Sequence, residues 1–510
     1  MNSRTVLFLA SAIAIGATAA PAAAAPCQSL AALALPRTTI TAREVAAGAF
    51  KPEDSLPQTL PPNPPYANLP AFCRVTAILK PTSDSDIHVE VWLPMAGWNR
   101  KLQSVGNGGW AGVIAWPALG AALAQGYAAA ATDTGHVANN ARFAPGHPEK
   151  LVDYGYRAVH EMTVTAKAVV AAYYESGAAL AYWNGCSTGG RQGLMEALRY
   201  PADYDGIIAG APVNYRTHQL IGELWIAKAV HRDTAHYIPP EKYAAIHQAA
   251  LAACDARDGL KDGLIDNPTT CRFDPKVIEC KSGDSPSCLT PPQVEAARQI
   301  YSPSANPRTK AEIFPALQPG SELSWGGLAG PQPVFEAVDF FQYVVKNDPA
   351  WDFHTLNFDG DVALADRAAA DLFNVIDPDL KPFFDRGGKL LLYHGWNDQL
   401  VAPLNSINYY QSVIRTLGTG QGDASPIRLF MMPGMTHCQG GEGPNTFDRM
   451  SVIEQWVEHK QPPARIVASH ATNGTVDRTR PLCPYPQVAR YTGTGSIDDA
   501  ANFVCKAESR

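Results

Sequence analysis

One short segment, Tyr182-Trp183-Asn184-Gly185-Cys186-Ser187-Thr188-Gly189-Gly190-Arg191-Gln192-Gly193, sets a serine inside the pattern Gly-x-Ser-x-Gly. A seryl hydroxyl attacks a carbonyl only when a base removes its proton, and the flanking glycines permit a sharp turn that holds the oxygen exposed. The context fits: 179–184 reads as a strand and 194–199 as a helical run, so the turn would join strand to helix. Free amides at the start of that helix point toward developing negative charge, which makes the Thr188 N–H one oxyanion donor. A second donor is expected from the glycine-rich turn Gly106-Asn107-Gly108-Gly109-Trp110, with Gly109 as the favoured residue. An ordinary strand-to-helix turn is the plainer alternative for the motif alone.

For a serine so placed, the chain order that completes the site is Ser, then Asp or Glu, then His. The strand-like run Lys389-Leu390-Leu391-Leu392-Tyr393 leads through His394 to Asp398, and a second strand-like run over 427–432 leads through Pro433-Gly434-Met435-Thr436 to His437. Asp398 would fix the tautomer of the imidazole of His437, and His437 would take the proton of Ser187 and return it to the leaving group. Of the thirteen histidines, most are expected in surface or core roles. His394 is a rival base, but it precedes the acid and reads better as a pocket residue. Cys186 adjoins the serine and Cys438 adjoins the histidine; if serine and histidine touch, a disulfide between these cysteines is sterically natural.

The segment Cys254-Asp255-Ala256-Arg257-Asp258-Gly259-Leu260-Lys261-Asp262-Gly263-Leu264-Ile265-Asp266 holds four carboxylates within the twelve positions after its cysteine. Oxygen-rich, glycine-hinged loops of this kind suit calcium, although no glutamate closes the loop as in an EF-hand, and a solvated acidic turn is the alternative. No histidine accompanies it, so a metal there would be structural.

These groups need a frame to bring them together. From about residue 73 to 230, strand-like segments (72–79, 88–93, 102–105, 126–134, 179–184) alternate with helical ones, the longest over 154–174, and a second such block runs from 388 to about 461. That alternation implies an α/β fold, a mostly parallel sheet covered by helices. Between the blocks lie aspartates, cysteines, prolines and tryptophans without regular alternation, read as an inserted lid domain over 214–385, with the core split into 26–213 and 386–510. At 510 residues and 46% hydrophobic the chain can bury a large core. Its opening, Arg4 followed by a short apolar run and small residues to Ala25, reads as an export signal over 1–25. The mature chain is then expected to be secreted or periplasmic, soluble and free of the membrane, with its ten cysteines in disulfides. A net charge of −7 leaves no electrostatic footprint for nucleic acid, and the expected partner is a small molecule.

Taken together, Cys186-Ser187, Asp398, His437-Cys438, the glycines 106–109 and the acidic lid loop resemble the tannase and feruloyl esterase family of α/β-hydrolases, which also includes the hydrolase of mono(2-hydroxyethyl) terephthalate. The resemblance covers nearly all of the mature chain. It implies a triad of Ser187, Asp398 and His437, an oxyanion hole from Gly109 and Thr188, and disulfides Cys186–Cys438, Cys27–Cys73, Cys254–Cys271, Cys280–Cys288 and Cys483–Cys505. It also implies a calcium ion held by Asp255, Asp258, the Leu260 carbonyl, Asp262 and the Leu264 carbonyl, with Asp266 as an extra ligand, and hydrolysis of aromatic esters of the hydroxycinnamoyl or galloyl type through an acyl-serine.

Lid aromatics Trp325, Phe335, Phe340, Phe341, Tyr343 and Trp351 either sandwich a flat acyl ring or pack the lid's own core. Terephthalate-monoester hydrolases of the family hold the free carboxylate with a lid arginine, whereas 311–366 of this chain has no arginine and only Lys346 as a cation. Thr188 also stands where the terephthalate enzyme carries an acidic residue. Both departures favour a neutral phenolic ester over the terephthalate monoester. A serine peptidase and a non-catalytic binding protein on the same scaffold are the competing readings.

Overall fold

The computed structural model describes residues 24–52, 66–418, 422 and 424–507; of the export signal expected over 1–25, only residues 24 and 25 fall among them. Nine strands form the main sheet: β1 (Thr38–Val45), β2 (Phe72–Leu79), β3 (Ile87–Pro94), β4 (Lys101–Val105), β5 (Ala128–Thr132), β6 (Leu180–Cys186), β7 (Gly206–Gly210), β8 (Lys389–Gly395) and β9 (Ile427–Met432). Their spatial order is β1-β2-β3-β5-β4-β6-β7-β8-β9. The first three strands and β5 pair antiparallel, and every pairing from β5 through β4 to β9 is parallel. The parallel strands are short, nearly continuous apolar runs, buried throughout in β5, β7 and β9, as strands covered on both faces must be.

Around the sheet run helices α1 (Trp116–Ala124), α2 (Ala158–Tyr174), α3 (Thr188–Arg199), α4 (Arg216–Val230), α5 (Tyr243–Cys254), α6 (Pro291–Ile300), α7 (Phe335–Asp339), α8 (Asp361–Phe373), α9 (Leu404–Leu417) and α10 (Arg449–His459), with shorter helical turns between them. Two apolar clusters lie on opposite faces of the sheet. One joins α2, α3 and α9 to the sheet through Val159, Met162, Leu194, Leu392, Val413 and Leu429; the other joins α1 and α10 through Leu119, Leu123, Ile208, Leu391, Ile453 and Trp456. Alternate residues of β8 thus serve opposite clusters, the period of two that a strand imposes. Residues 211–388 add no strand to this sheet and carry α4 to α8 with clusters of their own.

Six of the longer strands lie outside what the sequence alone suggests. Edge strand β1 buries only Ile40 and Val45, a spacing without period two. Strand β7 is Gly-Ile-Ile-Ala-Gly, whose bounding glycines look like turn residues. Gly210 is required there, because a Cβ would stand 2.2 Å from Cζ of Tyr393 on the next strand. Beyond residue 461, Ile466–Thr472 pairs with Thr475–Leu482, and Gln487–Tyr491 pairs with Phe503–Ala507. Among the described residues no helix is long and apolar enough to cross a membrane.

Candidate active site

The carboxyl ends of the parallel strands face one rim, where ligands of open α/β sheets gather. Gly109 lies four residues past β4, Ser187 one past β6, Asp398 three past β8 and His437 five past β9. Ser187 has φ 62° and ψ −123°, a conformation that L residues adopt only under constraint. Its amide donates to Gly210 O at 2.9 Å, and its carbonyl accepts from Arg191 N at 3.0 Å as α3 begins. The turn can be this tight because α3 starts almost in contact with β6 and the 106–109 loop: a Cβ on Gly106 would stand 2.5 Å from Gly189 Cα.

That loop is fastened to α3 by a reciprocal pair, Gln192 Oε1 accepting from Asn107 N at 3.0 Å and Gln192 Nε2 donating to Asn107 Oδ1 at 3.1 Å. Gly109, at φ 52°, has its carbonyl held by the hydroxyls of Tyr154 at 2.7 Å and Thr188 at 3.0 Å. Among the described residues neither the Gly109 nor the Thr188 amide donates to a protein acceptor, the condition an oxyanion-binding pair must meet.

His437 Nδ1 lies 2.8 Å from Asp398 Oδ2, which leaves Nε2 as the free ring nitrogen. Asp398 is fully buried and receives four hydrogen bonds: Oδ1 from the amides of Leu400 and Val401, both at 2.8 Å, and Oδ2 from the two histidines His437 and His394. Burial would raise the Asp398 carboxyl, but its charge attraction to His437 and the bonds from both histidines hold it far below the usual carboxylate range. For His437 burial alone would lower the imidazole; the Asp398 carboxylate outweighs it and lifts the ring above its ordinary value. Glu336 adds to that rise and Arg216 opposes it.

Five disulfides are formed, Cys27–Cys73, Cys186–Cys438, Cys254–Cys271, Cys280–Cys288 and Cys483–Cys505, the five pairs the resemblance implied. The Cys186–Cys438 bond spans 252 residues of sequence with a Cα separation of 6.0 Å and joins the turn of Ser187 to the loop of His437.

One expectation needs correction, and one pair of alternatives is decided in part. His394 is no pocket residue: it is fully buried beneath Asp398, its Nε2 facing Asp398 Oδ2 and Val401 O, both at 3.0 Å, and its Nδ1 facing Ser406 Oγ at 2.7 Å. Two acceptors at Nε2 place a proton there, and the Ser406 hydroxyl holds the other ring nitrogen. Trp325, Phe340 and Phe341 are fully buried in lid clusters, Trp351 stacks on Phe341, and Lys346 is paired with Asp361 at 2.6 Å. Of the six lid aromatics Phe335 is the exposed one.

Sequence reasoning passed over Arg216 and Glu336, the first lying outside the stretch searched for a cation and the second being one acidic residue among many. Arg216, on the first turn of α4, is almost wholly buried with its guanidinium over the Trp110 ring, and its Nη2 reaches Glu336 Oε2 at 2.8 Å. Glu336 Oε1 would meet a Cβ on Gly109 at 2.6 Å, so this ion pair borders the 106–109 loop.

In the acidic lid loop, Asp255 accepts from the amides of Asp262 and Gly263 at 3.1 and 3.0 Å. Arg480 pairs with Asp262 and stands 3.8 Å from Asp266, Arg490 donates to the Asp258 carbonyl at 2.6 Å, and Arg478 donates to the Asp262 carbonyl at 3.2 Å. Asp266 is buried, and among the described residues its Oδ1 has no hydrogen-bond partner. Burial raises the carboxyl of Asp266 to about 7, with Arg480 opposing and Asp258 and Asp262 reinforcing.

The chain matches the family model described as tannase and feruloyl esterase over residues 73–506. It is 40% identical to an uncharacterized esterase of Xanthomonas campestris pv. campestris, across 96% of this chain and 93% of that protein. A probable feruloyl esterase B-1 of Aspergillus oryzae is 30% identical across 86% of this chain and 85% of its own. Among solved structures, feruloyl esterase B from Aspergillus oryzae superposes with a TM-score of 0.86 at 30% identity, covering 94% of this chain and 99% of that one. The tannin acyl hydrolase from Aspergillus niger shares the fold, with a TM-score of 0.75 at 23% identity over 96% and 94% of the two chains.

Proposed function

This chain belongs to the tannase and feruloyl esterase family and is a carboxylic ester hydrolase; from that premise we propose that it is an exported serine esterase of aromatic, hydroxycinnamoyl or galloyl type esters. The observation that carries the mechanism is the 2.8 Å bond between Asp398 and His437 at the rim where the strained Ser187 turn begins. In this reading His437 Nε2 takes the proton of Ser187 Oγ as that oxygen attacks the ester carbonyl. The Gly109 and Thr188 amides bind the resulting oxyanion, and the protonated imidazole returns its proton to the departing alcohol. Water then repeats the sequence on the acyl-serine. Asp398, held ionised, stabilises the imidazolium in both steps.

The acyl preference rests on charge. Arg216 already faces Glu336 and Lys346 already faces Asp361, so each of these two cations carries its own counter-ion. A substrate carrying a free carboxylate gains little at such a site, and a neutral phenolic ester suffers no penalty. Purified enzyme assayed on methyl ferulate, methyl gallate and mono(2-hydroxyethyl) terephthalate tests this. A kcat/KM at least tenfold higher for the better phenolic ester supports the reading, and the reverse order overturns it.

The acidic lid loop is proposed as a calcium site, with Asp255, Asp258, Asp262 and the Leu260 and Leu264 carbonyls as ligands and Asp266 close by. Support comes from an oxygen-only donor set and from Asp266 Oδ1, which receives no hydrogen bond from the described residues and has Arg480 at 3.8 Å. The ion would supply positive charge that pins the loop against the C-terminal hairpins that carry Arg480 and Arg490. Five disulfides support an oxidising destination, secreted or periplasmic.

A further inference from the structure

At the end of α3 remote from the nucleophile, three side chains from three segments converge: His160 on α2, Glu196 on α3 and Asp203 in the turn before β7. Each offers one ligand atom within 4.8 Å of the other two. His160 lies flat on Tyr200, ring centroids 3.8 Å apart and planes 8° apart, and its Nδ1 is 2.7 Å from Asp203 Oδ2. The ring is therefore fixed before any ligand arrives. Glu196 is 1% exposed, no N–H among the described residues reaches its carboxyl, and its nearest polar partner is another acid, Asp203; burial and that neighbour push the Glu196 carboxyl well above its ordinary range. Two carboxyl groups packed this closely cannot both be ionised without a cation between them, so a cation completes the cluster.

The nearby ammonium does not complete it. Lys167 Nζ is 3.9 Å from Asp203 Oδ1 and donates to the Ala202 carbonyl at 3.2 Å, which makes it a partner of Asp203 and its own turn. A cation seated among the three ligand atoms would engage Glu196 directly. The donor set of one imidazole and two carboxylates excludes the all-oxygen preference of calcium and magnesium and suits an ion that accepts nitrogen and oxygen together. The side chain of His160 is 28% exposed, which gives an ion access and leaves space for water as a fourth ligand.

We propose that His160, Glu196 and Asp203 form a binding site for one divalent transition-metal ion, with zinc the best chemical match. It is separate from the acidic lid loop and from the ester-hydrolysing rim: Glu196 is nine residues beyond Ser187, about 13 Å along α3. Its role is structural, tying α2 to the nucleophile-bearing helix and to the turn that leads into β7.

Zinc titration of the full chain by calorimetry, with calcium in excess to saturate the lid loop, tests the site. One equivalent of zinc should bind and raise Tm. His160→Phe, which keeps a ring on Tyr200, should weaken that binding at least tenfold while ester hydrolysis and the zinc-free Tm stay near wild type. Glu196→Gln should also weaken it, and cobalt(II) added to wild type should give ligand-field absorption that His160→Phe lacks. No zinc equivalent in wild type, or an undiminished one in His160→Phe, overturns the proposal.

Discussion

His394 and Asp398 stand four residues apart at the end of one strand, and Nε2 of the first meets Oδ2 of the second at 3.0 Å, the oxygen that His437 also reaches. The carboxylate that holds the imidazole of His437, the proposed base, is therefore itself oriented from beneath by a second imidazole anchored on Ser406. Removing that anchor frees Asp398 to rotate, and small misplacements of a triad member are costly to rate. His394→Ala is expected to lower kcat on the order of tenfold to a hundredfold with KM little changed. Ser406→Ala should act in the same direction and more weakly. Steady-state kinetics of both variants check this, and a His394→Ala enzyme with wild-type kcat contradicts it.

The acid limb of the rate profile should report the lifted imidazole of His437. The base must be neutral to accept the seryl proton, so a raised pKa moves the half-rise of kcat/KM to higher pH than an ordinary histidine gives. Glu336 contributes to that rise, so Glu336→Gln should move the limb to lower pH. A shift to higher pH in that variant contradicts the assignment of its charge.

Closing a loop of 252 residues, the Cys186–Cys438 bond removes up to roughly 5 kcal/mol of unfolded-state chain entropy. It also fixes the loops of Ser187 and His437 to each other. The double substitution Cys186→Ser with Cys438→Ser is expected to lower Tm and, at temperatures where the protein is still folded, to lower kcat. Normal kcat in the folded double variant would show that the bond stabilises without positioning.

How much of this was readable in the sequence divides by physical cause. Ser187, Asp398 and His437 each follow an apolar strand with a short connection, and such runs announce themselves; β9 over Ile427–Met432 has the boundaries that its apolar run gave. The long helix expected over 154–174 is a helical segment throughout, with a wider first turn over Asp153–Arg157 before α2. Strand β7 was hidden because Gly206 and Gly210 serve close packing and not a turn. The burial of Trp325, Phe340 and Phe341 could not be told from ring stacking on a substrate, since composition is the same in both cases. Arg216 and Glu336 are 120 residues apart and meet only through the path of the chain between them, which no local pattern encodes.

Calcium should stabilise the folded chain. At a hundredfold excess over its Kd an ion bound only to the native state contributes about 2.7 kcal/mol. Treatment with a chelator should therefore lower Tm, and added calcium should restore it. Asp262→Asn should abolish the calcium response. Arg480→Ala, which leaves the buried Asp262 without its cation, should cost about 3–5 kcal/mol when calcium is absent. A Tm indifferent to chelator and to added calcium removes the ion from the account.

The role given to Ser187 is open to direct measurement. Reaction with an organophosphonate ester, followed by peptide mapping, should place one equivalent of adduct on Ser187 with loss of ester hydrolysis in proportion, and Ser187→Ala should take up none and show no turnover above background. An adduct on another residue, or ester hydrolysis at the wild-type rate in Ser187→Ala, contradicts the account.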